Sequence, residues 1–417
     1  MQLLITAVFL NWGAMDADGQ EGNERIWRDV TGSFSVKAAL VTIGDESVEL
    51  LTSDGRKISV PIRKLSGQDR IYLKRSSAPK DTKVSPDATA DAIRKALAGP
   101  ALPPAEIKLN DLYELLSIPV FIDERGLESV GLHKEMPVTL KAGHESLQDQ
   151  LDESLEAIDC FWCNTQTVLV VSSNDSMDRF DETWIYRFPT PRMDYTSVMS
   201  RISEVQPDSW EALGGRGTIC PLVPVYVITQ SPTVHRKIIK SFKRHPVPHR
   251  YEHPLDLRSV TVTGKEMLLE DCLKSISQQI SIPIEFSSGL SSIGLDPEGV
   301  YVSAQLTNVS AKDALDLILL QFGCTWVEEG KKLVVKHDVE AEESLSTQRI
   351  PIGFAVINGD ASHFLQAAQT SVAVETWEAF GGKGQISFSP PAVCVVRQGQ
   401  PAMREFEQFL RDLRSLR

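Results

Sequence analysis

Residues 210–219 read WEALGGRGTI, and residues 377–386 read WEAFGGKGQI. Seven of the ten positions are identical across a separation of 167 residues, and the other three change Leu to Phe, Arg to Lys and Thr to Gln. A match of this length within one chain indicates an internal duplication. The repeated stretch therefore serves to align two copies of one larger unit.

Other matched features extend the alignment toward the N-terminus. SIPV at 117–120 is echoed by SIPI at 281–284, and the capping pair Ser146 and Asp149 is echoed by Ser310 and Asp313. Apolar residues at helical spacing follow each pair, and a strand pair follows each helix. We predict two tandem α+β repeat units, residues 93–245 and 259–417, with a linker at 246–258.

The second half of each unit is predicted to run strand, helix, repeated stretch, strand and helix. The last helix opens at Pro232 or Pro401, because proline is favoured at the first helical position. The glycines of the repeated stretch lack the spacing of a phosphate-binding loop, and the stretch does not lead from a strand into a helix. They predict a turn that needs positive φ, with Trp210 and Trp377 packed beneath it.

Length and charge narrow the class of protein. The 417 residues predict two to four domains, with 42% hydrophobic and 24% charged residues and a net charge of −13. An acidic surface argues against nucleic-acid binding. No apolar run reaches the roughly 18 to 20 residues of a transmembrane helix.

The N-terminus has the pattern of a signal peptide. The apolar run LLITAVFL at 3–10 precedes Ala14 and Ala17, although no Lys or Arg comes before it. We predict a signal peptide at residues 1–20 and export to the periplasm or the medium. A buried N-terminal strand in a cytoplasmic protein is the alternative.

Residues 22–75 have the pattern of a small SH3-like β-barrel. Phe34, Val36, Ala38 and Leu40 alternate as in a half-buried strand, and a second alternating run leads to Pro61. The dipeptide at 54–55, DG, favours a tight hairpin. A capped short helix follows, and residues 76–92 are predicted to be a linker rich in Ser, Pro, Asp and Lys.

This segment resembles the SLA-homology domain 1 family. The resemblance rests on RIWRD at 25–29, TGxF at 31–34, DGRKIxVP at 54–61 and KLSxxDxxYL at 64–73. Adaptors of this family bind peptides carrying Asn-Pro-Phe-x-Asp, so the resemblance implies a peptide- or protein-binding module. The candidate contacts are Trp27, Lys57, Arg63, Lys64 and Arg70, with solvated surface charge as the alternative reading of the basic side chains.

The first half of each repeat resembles the secretin and TonB short N-terminal domain. The shared features are the strand after the first helix, the capped second helix and the closing hairpin. That resemblance implies an envelope location, and one alternative function is an accessory subunit of a secretin-like assembly. The whole repeat also resembles units common in secreted planctomycete-type proteins, and that resemblance implies no activity.

Two stretches carry residues capable of chemistry. Cys160 and Cys163 have the spacing of a thiol–disulfide pair, yet they follow a helix and fall on a predicted strand, so a buried structural role is favoured over an oxidoreductase. His245, His249 and His253 are spaced by four, but neighbouring prolines oppose a helix, and we predict an extended, solvated linker without metal.

The sequence thus predicts a non-enzymatic adaptor or scaffold without a cofactor. Its partners are expected to be proteins or peptides, with self-association through the duplicated units. The thiol–disulfide oxidoreductase and the secretin-type accessory subunit are the alternatives.

Overall fold

The N-terminal unit is built on a four-stranded antiparallel sheet in the sequential order β1-β2-β3-β4. The chain divides into this unit, residues 1–78, and a larger unit, residues 79–417. The structure, a computed structural model, describes residues 24–44, 46–77, 84–188, 195–297, 299–356 and 360–416. The predicted signal peptide at 1–20 lies outside these residues.

The first sheet follows the predicted alternation. Its strands are β1 (Arg25–Arg28), β2 (Ser35–Ile43), β3 (Ser47–Thr52) and β4 (Lys57–Pro61), and helix α1 (Gly67–Ser77) follows. Alternate side chains point to one face, where they form a core of Trp27, Ala38, Val48, Leu50, Leu65 and Leu73.

The ends of this sheet approach each other without a continuous ladder. One isolated antiparallel bridge joins Asp29 to Leu65. A turn of 3-10 helix at Ile62–Lys64 interrupts the chain after β4, so the described residues form a curled sheet and not a closed barrel. The α+β multidomain class is confirmed.

Copy one begins with helix α2 and contains two small sheets in its first half. The elements are α2 (Pro86–Leu97), β5 (Ala105–Lys108), α3 (Leu112–Leu116), β6 (Val120–Ile122), α4 (Glu124–Glu128), β7 (Pro137–Leu140), α5 (Leu147–Glu156), β8 (Cys160–Asn164) and β9 (Leu169–Ser173). Strands β5 and β7 pair antiparallel, while β6-β9-β8 form a mixed sheet in which β6 and β9 are parallel.

The second half of copy one is a three-stranded antiparallel sheet with two helices. Its elements are β10 (Glu182–Tyr186), α6 (Tyr195–Ser203), β11 (Thr218–Leu222), β12 (Val225–Gln230) and α7 (Pro232–Phe242). The central strand is β12, which pairs with β10 and β11.

Copy two repeats this order with longer elements. They are β13 (Ser259–Leu268), α8 (Leu269–Ile280), β14 (Ile284–Phe286), β15 (Tyr301–Ser310), α9 (Ala311–Leu320), β16 (Cys324–Glu329), β17 (Lys332–His337), α10 (Asp338–Glu343), β18 (Ser346–Pro351), α11 (Ser362–Ser371), β19 (Gln385–Ser389), β20 (Val393–Gln398) and α12 (Gln400–Arg414). The sheets β13-β15, β14-β17-β16 and β18-β20-β19 match those of copy one. None of the helices in the described part of the chain is long and apolar enough to cross a bilayer.

The predicted capping pairs are confirmed. The hydroxyl of Ser146 accepts from the backbone N–H of Asp149, and Ser310 does the same for Asp313. Each serine thereby satisfies one orphan N–H at the start of its helix.

The repeated glycine stretch is a turn, as predicted. Gly214 and Gly381 have φ of 90° and 96°, which favours glycine. At Gly382 a Cβ would lie 2.1 Å from the backbone carbonyl oxygen of Thr376, so only glycine fits. Trp377 is fully buried beneath the turn, and its indole N–H donates to the carbonyl of Val372 at 2.6 Å.

The two copies share their cores. One core combines Phe121, Phe161 and Val170 of copy one with the helices and sheets in the first half of copy two. A second core combines the back of the β10-β12-β11 sheet with α11 and α12. The repeat boundaries therefore mark a duplication inside one unit of structure.

A buried aspartate also joins the copies. The Asp313 carboxylate, at the start of α9, accepts from the backbone N–H of Thr167 at 2.7 Å and from its hydroxyl at 2.5 Å. The backbone N–H of Ser310 donates to the same hydroxyl at 2.8 Å. The hairpin turn of copy one thus binds the N-terminus of a copy-two helix.

Both predicted linkers contain ordered structure. Residues 86–92 belong to α2, whose Ile93 and Leu97 are buried. In the 246–258 segment Leu255 is 1% exposed and Asp256 is 2% exposed. The prediction of a solvated segment there is wrong, because Leu255 joins the shared core.

Candidate functional site

A buried carboxylate organises the N-terminal module. Asp69 accepts hydrogen bonds at 2.7 Å from the guanidinium of Arg25, the backbone N–H of Arg28 and the hydroxyl of Ser66. These bonds attach β1 to the start of α1. Because one carboxylate satisfies three donors, this part of the motif has a structural role.

Trp27 belongs to the core of the module. Its side chain is 1% exposed, its indole N–H donates to the carbonyl of Ala38 at 3.0 Å, and its ring packs edge-on against Tyr72 at 5.6 Å. The Arg25 guanidinium lies 4.0 Å from the Tyr72 ring centroid. The prediction that Trp27 contacts a peptide is wrong, because a module this small needs its largest apolar side chain for the core.

Arg70 is also buried, with 6% exposure. Burial lowers the pKa of its guanidinium, and its Nε and one terminal nitrogen have no hydrogen-bond partner within the described residues. Arg70 is therefore not an exposed cation like Lys57, Arg63 and Lys64, with which the sequence analysis grouped it.

The other three predicted cations are exposed. Lys57, Arg63 and Lys64 form no ion pair with any residue that the structure describes. At about 3.3 Å per residue, the first and last residues of β4 lie roughly 13 Å apart, with Lys57 at the first and Arg63 beyond the last. Only Arg63 and Lys64 are therefore neighbours, and Lys57 lies at the other end of β4.

The seam between the sheet ends brings further residues to this point. The backbone N–H of Val30 donates to the carbonyl of Lys64 at 2.9 Å, and that of Ser66 donates to the carbonyl of Arg28 at 2.8 Å. Arg28, Val30 and Lys64 thus lie on adjacent rungs.

A tight turn presents an aromatic side chain beside the seam. The Asp29 carboxylate accepts from the Thr31 hydroxyl at 2.6 Å and from the backbone N–H of Phe34 at 3.0 Å, and these bonds lower the pKa of Asp29. Gly32 adopts φ of 71°. The turn leaves Phe34 60% exposed and Val30 38% exposed.

We name this region the Phe34 surface, formed by Arg28, Val30, Phe34, Arg63 and Lys64. Exposed apolar side chains next to cations suit a peptide that offers both an apolar side chain and a carboxylate. The sequence analysis did not include Arg28, Val30 and Phe34 among the candidate contacts. The sequence feature that could have indicated this surface is the TGxF motif at 31–34, in which the glycine marks a turn and the phenylalanine follows it.

The cysteine pair lies inside the protein. Cys160 and Cys163 are both buried on β8, and their thiols are free. Burial raises the pKa of Cys160 to about 12 and also raises the pKa of Cys163. A reactive thiol needs a lowered pKa and access to solvent, so this geometry opposes the oxidoreductase alternative.

The histidines of the 246–258 segment make polar contacts. Nδ1 of His249 lies 2.6 Å from the Asp412 carboxylate, and Nε2 of His253 lies 3.3 Å from Glu328. Across the described ranges, no group of three or more His, Cys, Asp or Glu side chains is arranged to hold a metal ion.

Residues 17–80 match the family model of SLA1 homology domain 1. We therefore call the N-terminal unit the SHD1-like module. The match covers this module and leaves the duplicated unit outside it. A search of curated proteins finds no match.

Two solved structures each match part of the chain. One is a chain of the Salmonella SPI-1 injectisome NC-base, at 12% identity, covering 37% of this chain and 94% of its own, with a TM-score of 0.19. The other is a chain of the GspC–GspD complex from the type II secretion system of enterotoxigenic Escherichia coli, at 14% identity, covering 38% and 98%, with a TM-score of 0.14. Structural similarity with TM-scores this low says nothing about function.

Proposed function

We propose that this protein is a non-enzymatic adaptor or scaffold whose SHD1-like module binds short peptide segments of other proteins. The observation that carries the proposal is the Phe34 surface, where a turn leaves Phe34 strongly exposed and the adjoining backbone seam carries three exposed cations. The family match supports a protein-binding role for the module.

Recognition would combine two contacts. An apolar side chain of the peptide packs on Phe34 and Val30, and a peptide carboxylate pairs with Arg63, Lys64 or Arg28. Charge-assisted hydrogen bonds between carboxylate and guanidinium are about twice as strong as neutral ones. The Asp69 bonds hold β1 and α1 in place, so the surface is formed before the ligand arrives.

The duplicated unit would supply the scaffold. Its shared cores and the contact between Asp313 and Thr167 make the two copies one rigid body of structure on which partners can assemble. We propose that the protein acts outside the cytoplasm, which agrees with the apolar run at 3–10.

Peptide binding by the full chain tests the proposal. The probe is a fluorescein-labelled peptide containing Asn-Pro-Phe-x-Asp, followed by fluorescence anisotropy. We expect saturable binding that weakens about tenfold or more in Phe34→Ala and in the double variant Arg63→Glu/Lys64→Glu, as for loss of a contact worth about 1.4 kcal/mol.

Lys57→Glu is the matched control, because this exposed cation lies at the far end of β4. It should bind like the wild type. Absence of saturable binding to the probe and to a panel of acidic, aromatic peptides would remove the proposal. Equal losses in the control would show a general charge effect.

A further inference from the structure

Helix α11 of copy two packs on the back of the β10-β12-β11 sheet of copy one. Three threonines lie side by side across this sheet, at 183, 229 and 218. Thr218 donates to the carbonyl of Thr370 at 2.9 Å, and Thr229 donates to the carbonyl of Ser371 at 2.7 Å. Thr183 also donates to the carbonyl of Ser371. These carbonyls lie at the C-terminal end of α11.

An apolar row lies beside the threonines. Ile185, Val227 and Cys220 are opposite one another in the register and are buried against copy two. The docking of α11 thus combines hydroxyl donors, which meet helix carbonyls that lack an intrahelical partner, with an apolar strip.

Within the described ranges, no helix covers the matching face of copy two. In its register, Thr347, Arg397 and Gln385 take the places of the three threonines, and Arg349, Val395 and Ser387 take the places of the apolar row. We name these six residues the copy-two sheet face. All are exposed except Val395, which is half-buried. Neither guanidinium group makes a hydrogen bond or an ion pair with any described residue.

The copy-two sheet face keeps donors and adds positive charge. Thr347 and Arg397 each offer a donor where a threonine met a helix carbonyl in copy one. The amide nitrogen of Gln385 donates one N–H to the Glu378 carboxylate at 2.9 Å and has a second N–H for a further acceptor. Two guanidinium groups favour the C-terminal end of a helix, where the macrodipole is negative, and favour acidic side chains near it.

The helix that corresponds to α11 in copy one is α6, and its outer face is exposed. The indole N–H of Trp377 donates to Val372 and that of Trp210 donates to Val205, which aligns the two helix ends. By this alignment Glu204 stands where Ser371 stands in copy two. Glu204 is exposed, and Asp208 and Glu211 follow it at the surface.

We propose that the copy-two sheet face receives α6 of a second molecule, so that chains associate head to tail. The contact repeats the docking of α11 on copy one, with Glu204 of one molecule facing Arg349 and Arg397 of the next. Such heterologous contacts add molecules without closing a two-fold dimer. This proposal is independent of peptide binding by the SHD1-like module.

The expected contact is weak and depends on salt. Fewer apolar side chains are buried than in the internal contact, because Arg349 and Ser387 replace Ile185 and Cys220. Arg201 is the one exposed cation on the outer face of α6 among the described residues, and its guanidinium is drawn to the Phe242 ring at 5.2 Å. Ion pairs at such a surface weaken as salt rises.

Sedimentation velocity of the full chain tests the proposal. We expect the mass to rise above the 46.2 kDa of one chain as the concentration rises from roughly 1 to 200 µM at low ionic strength, the range in which contacts of micromolar Kd populate. The variant Arg349→Glu/Arg397→Glu and the variant Glu204→Arg should each stay monomeric. A mixture of the two should associate, because the unchanged sheet face of the Glu204→Arg variant meets the unchanged Glu204 of the double variant. The new charges of the two variants also meet their opposites.

The control is Lys57→Glu, which changes an exposed cation of the SHD1-like module, outside the duplicated unit that carries both surfaces. It should associate like the wild type, and circular dichroism should show every variant folded. A wild-type chain that stays at 46.2 kDa throughout would overturn the proposal. So would association that persists in the double glutamate variant, or a mixture that stays monomeric.

Discussion

Arg404 lies over the indole of Trp326, with its guanidinium carbon 3.9 Å from the ring centroid, and Arg236 stands in the same relation to Trp162 at 4.0 Å. Each arginine lies on the last helix of its copy and each tryptophan on the hairpin of the first half. Nη1 of Arg404 also donates to the carbonyl of Trp326 at 2.8 Å. The pair therefore joins the two halves of a copy.

Removal of this arginine should destabilise the duplicated unit. Arg404→Ala loses a desolvated cation–π contact and leaves buried acceptors unpaired, so the free energy of unfolding should fall by about 3 kcal/mol. Urea denaturation followed by tryptophan fluorescence measures it. Arg244→Ala, at an exposed position, should stay within about 0.5 kcal/mol of the wild type. Equal stability of the two variants would contradict the stacking argument.

Substitution of the second glycine in the repeated stretch should be costly. In Gly382→Ala the new methyl group would lie 2.1 Å from the backbone carbonyl oxygen of Thr376, which forces a shift in a packed turn. Such overpacking typically costs about 1–3 kcal/mol. Gly353→Ala is the matched control, since its Cβ would meet only Ala392 at an ordinary 3.6 Å. Thermal unfolding of both variants decides, and a Gly382→Ala protein as stable as the control would refute the close-approach explanation.

A buried histidine should make stability depend on pH. His235 lies among Tyr186, Trp184, His249 and the backbone carbonyl of Glu182, and burial lowers its pKa to about 4. Its folded pKa is below the unfolded value of about 6.5, so the unfolded chain binds more protons between these values. His235 should therefore contribute a rise in stability of about 3 kcal/mol as pH rises from 4 to 6.5.

The variant His235→Gln should flatten that rise, measured by urea denaturation at several pH values. The nearby Glu182 acts in the opposite direction, because burial raises its pKa to about 6 and its ionisation opposes folding as pH increases. Glu182→Gln should therefore steepen the net rise. A wild-type profile that falls between pH 4 and 6.5 while His235→Gln leaves it unchanged would refute the assignment.

The six cysteines should resist alkylation in the folded protein. All are buried, and burial raises the pKa of the thiols at 160, 272 and 394 to about 12. Iodoacetamide attacks the thiolate, so mass spectrometry should show almost no modification under native conditions and six adducts in denaturant. Rapid native alkylation of Cys160 or Cys163 would instead support the oxidoreductase alternative.

The duplication and its local signals could be predicted from the sequence. Ser146 and Ser310 cap their helices, and the glycine turn and its buried Trp377 were expected from composition and spacing alone. Such features depend on residues close in sequence, which is why a single chain reveals them. Strands β5 and β7 were missed because four residues carry too little periodicity.

The long-range contacts could not be predicted. Leu255 was assigned to a solvated linker because its neighbours are polar, yet the shared core draws it in. Trp27 was assigned to a binding site because it lies in the family motif, whereas a small module needs that side chain inside. In the Phe34 surface, only Arg63 and Lys64 were foreseen, since the seam that brings Arg28 beside them is a tertiary contact.

The shared cores have a consequence for synthesis. The back of the β10-β12-β11 sheet is apolar, and its cover, α11, is translated only after most of copy two has emerged. Copy one therefore cannot finish folding on the ribosome ahead of copy two. A nascent chain that has paused in copy two exposes Ile185, Val227 and Cys220 to solvent. We expect a chaperone to keep such a chain soluble.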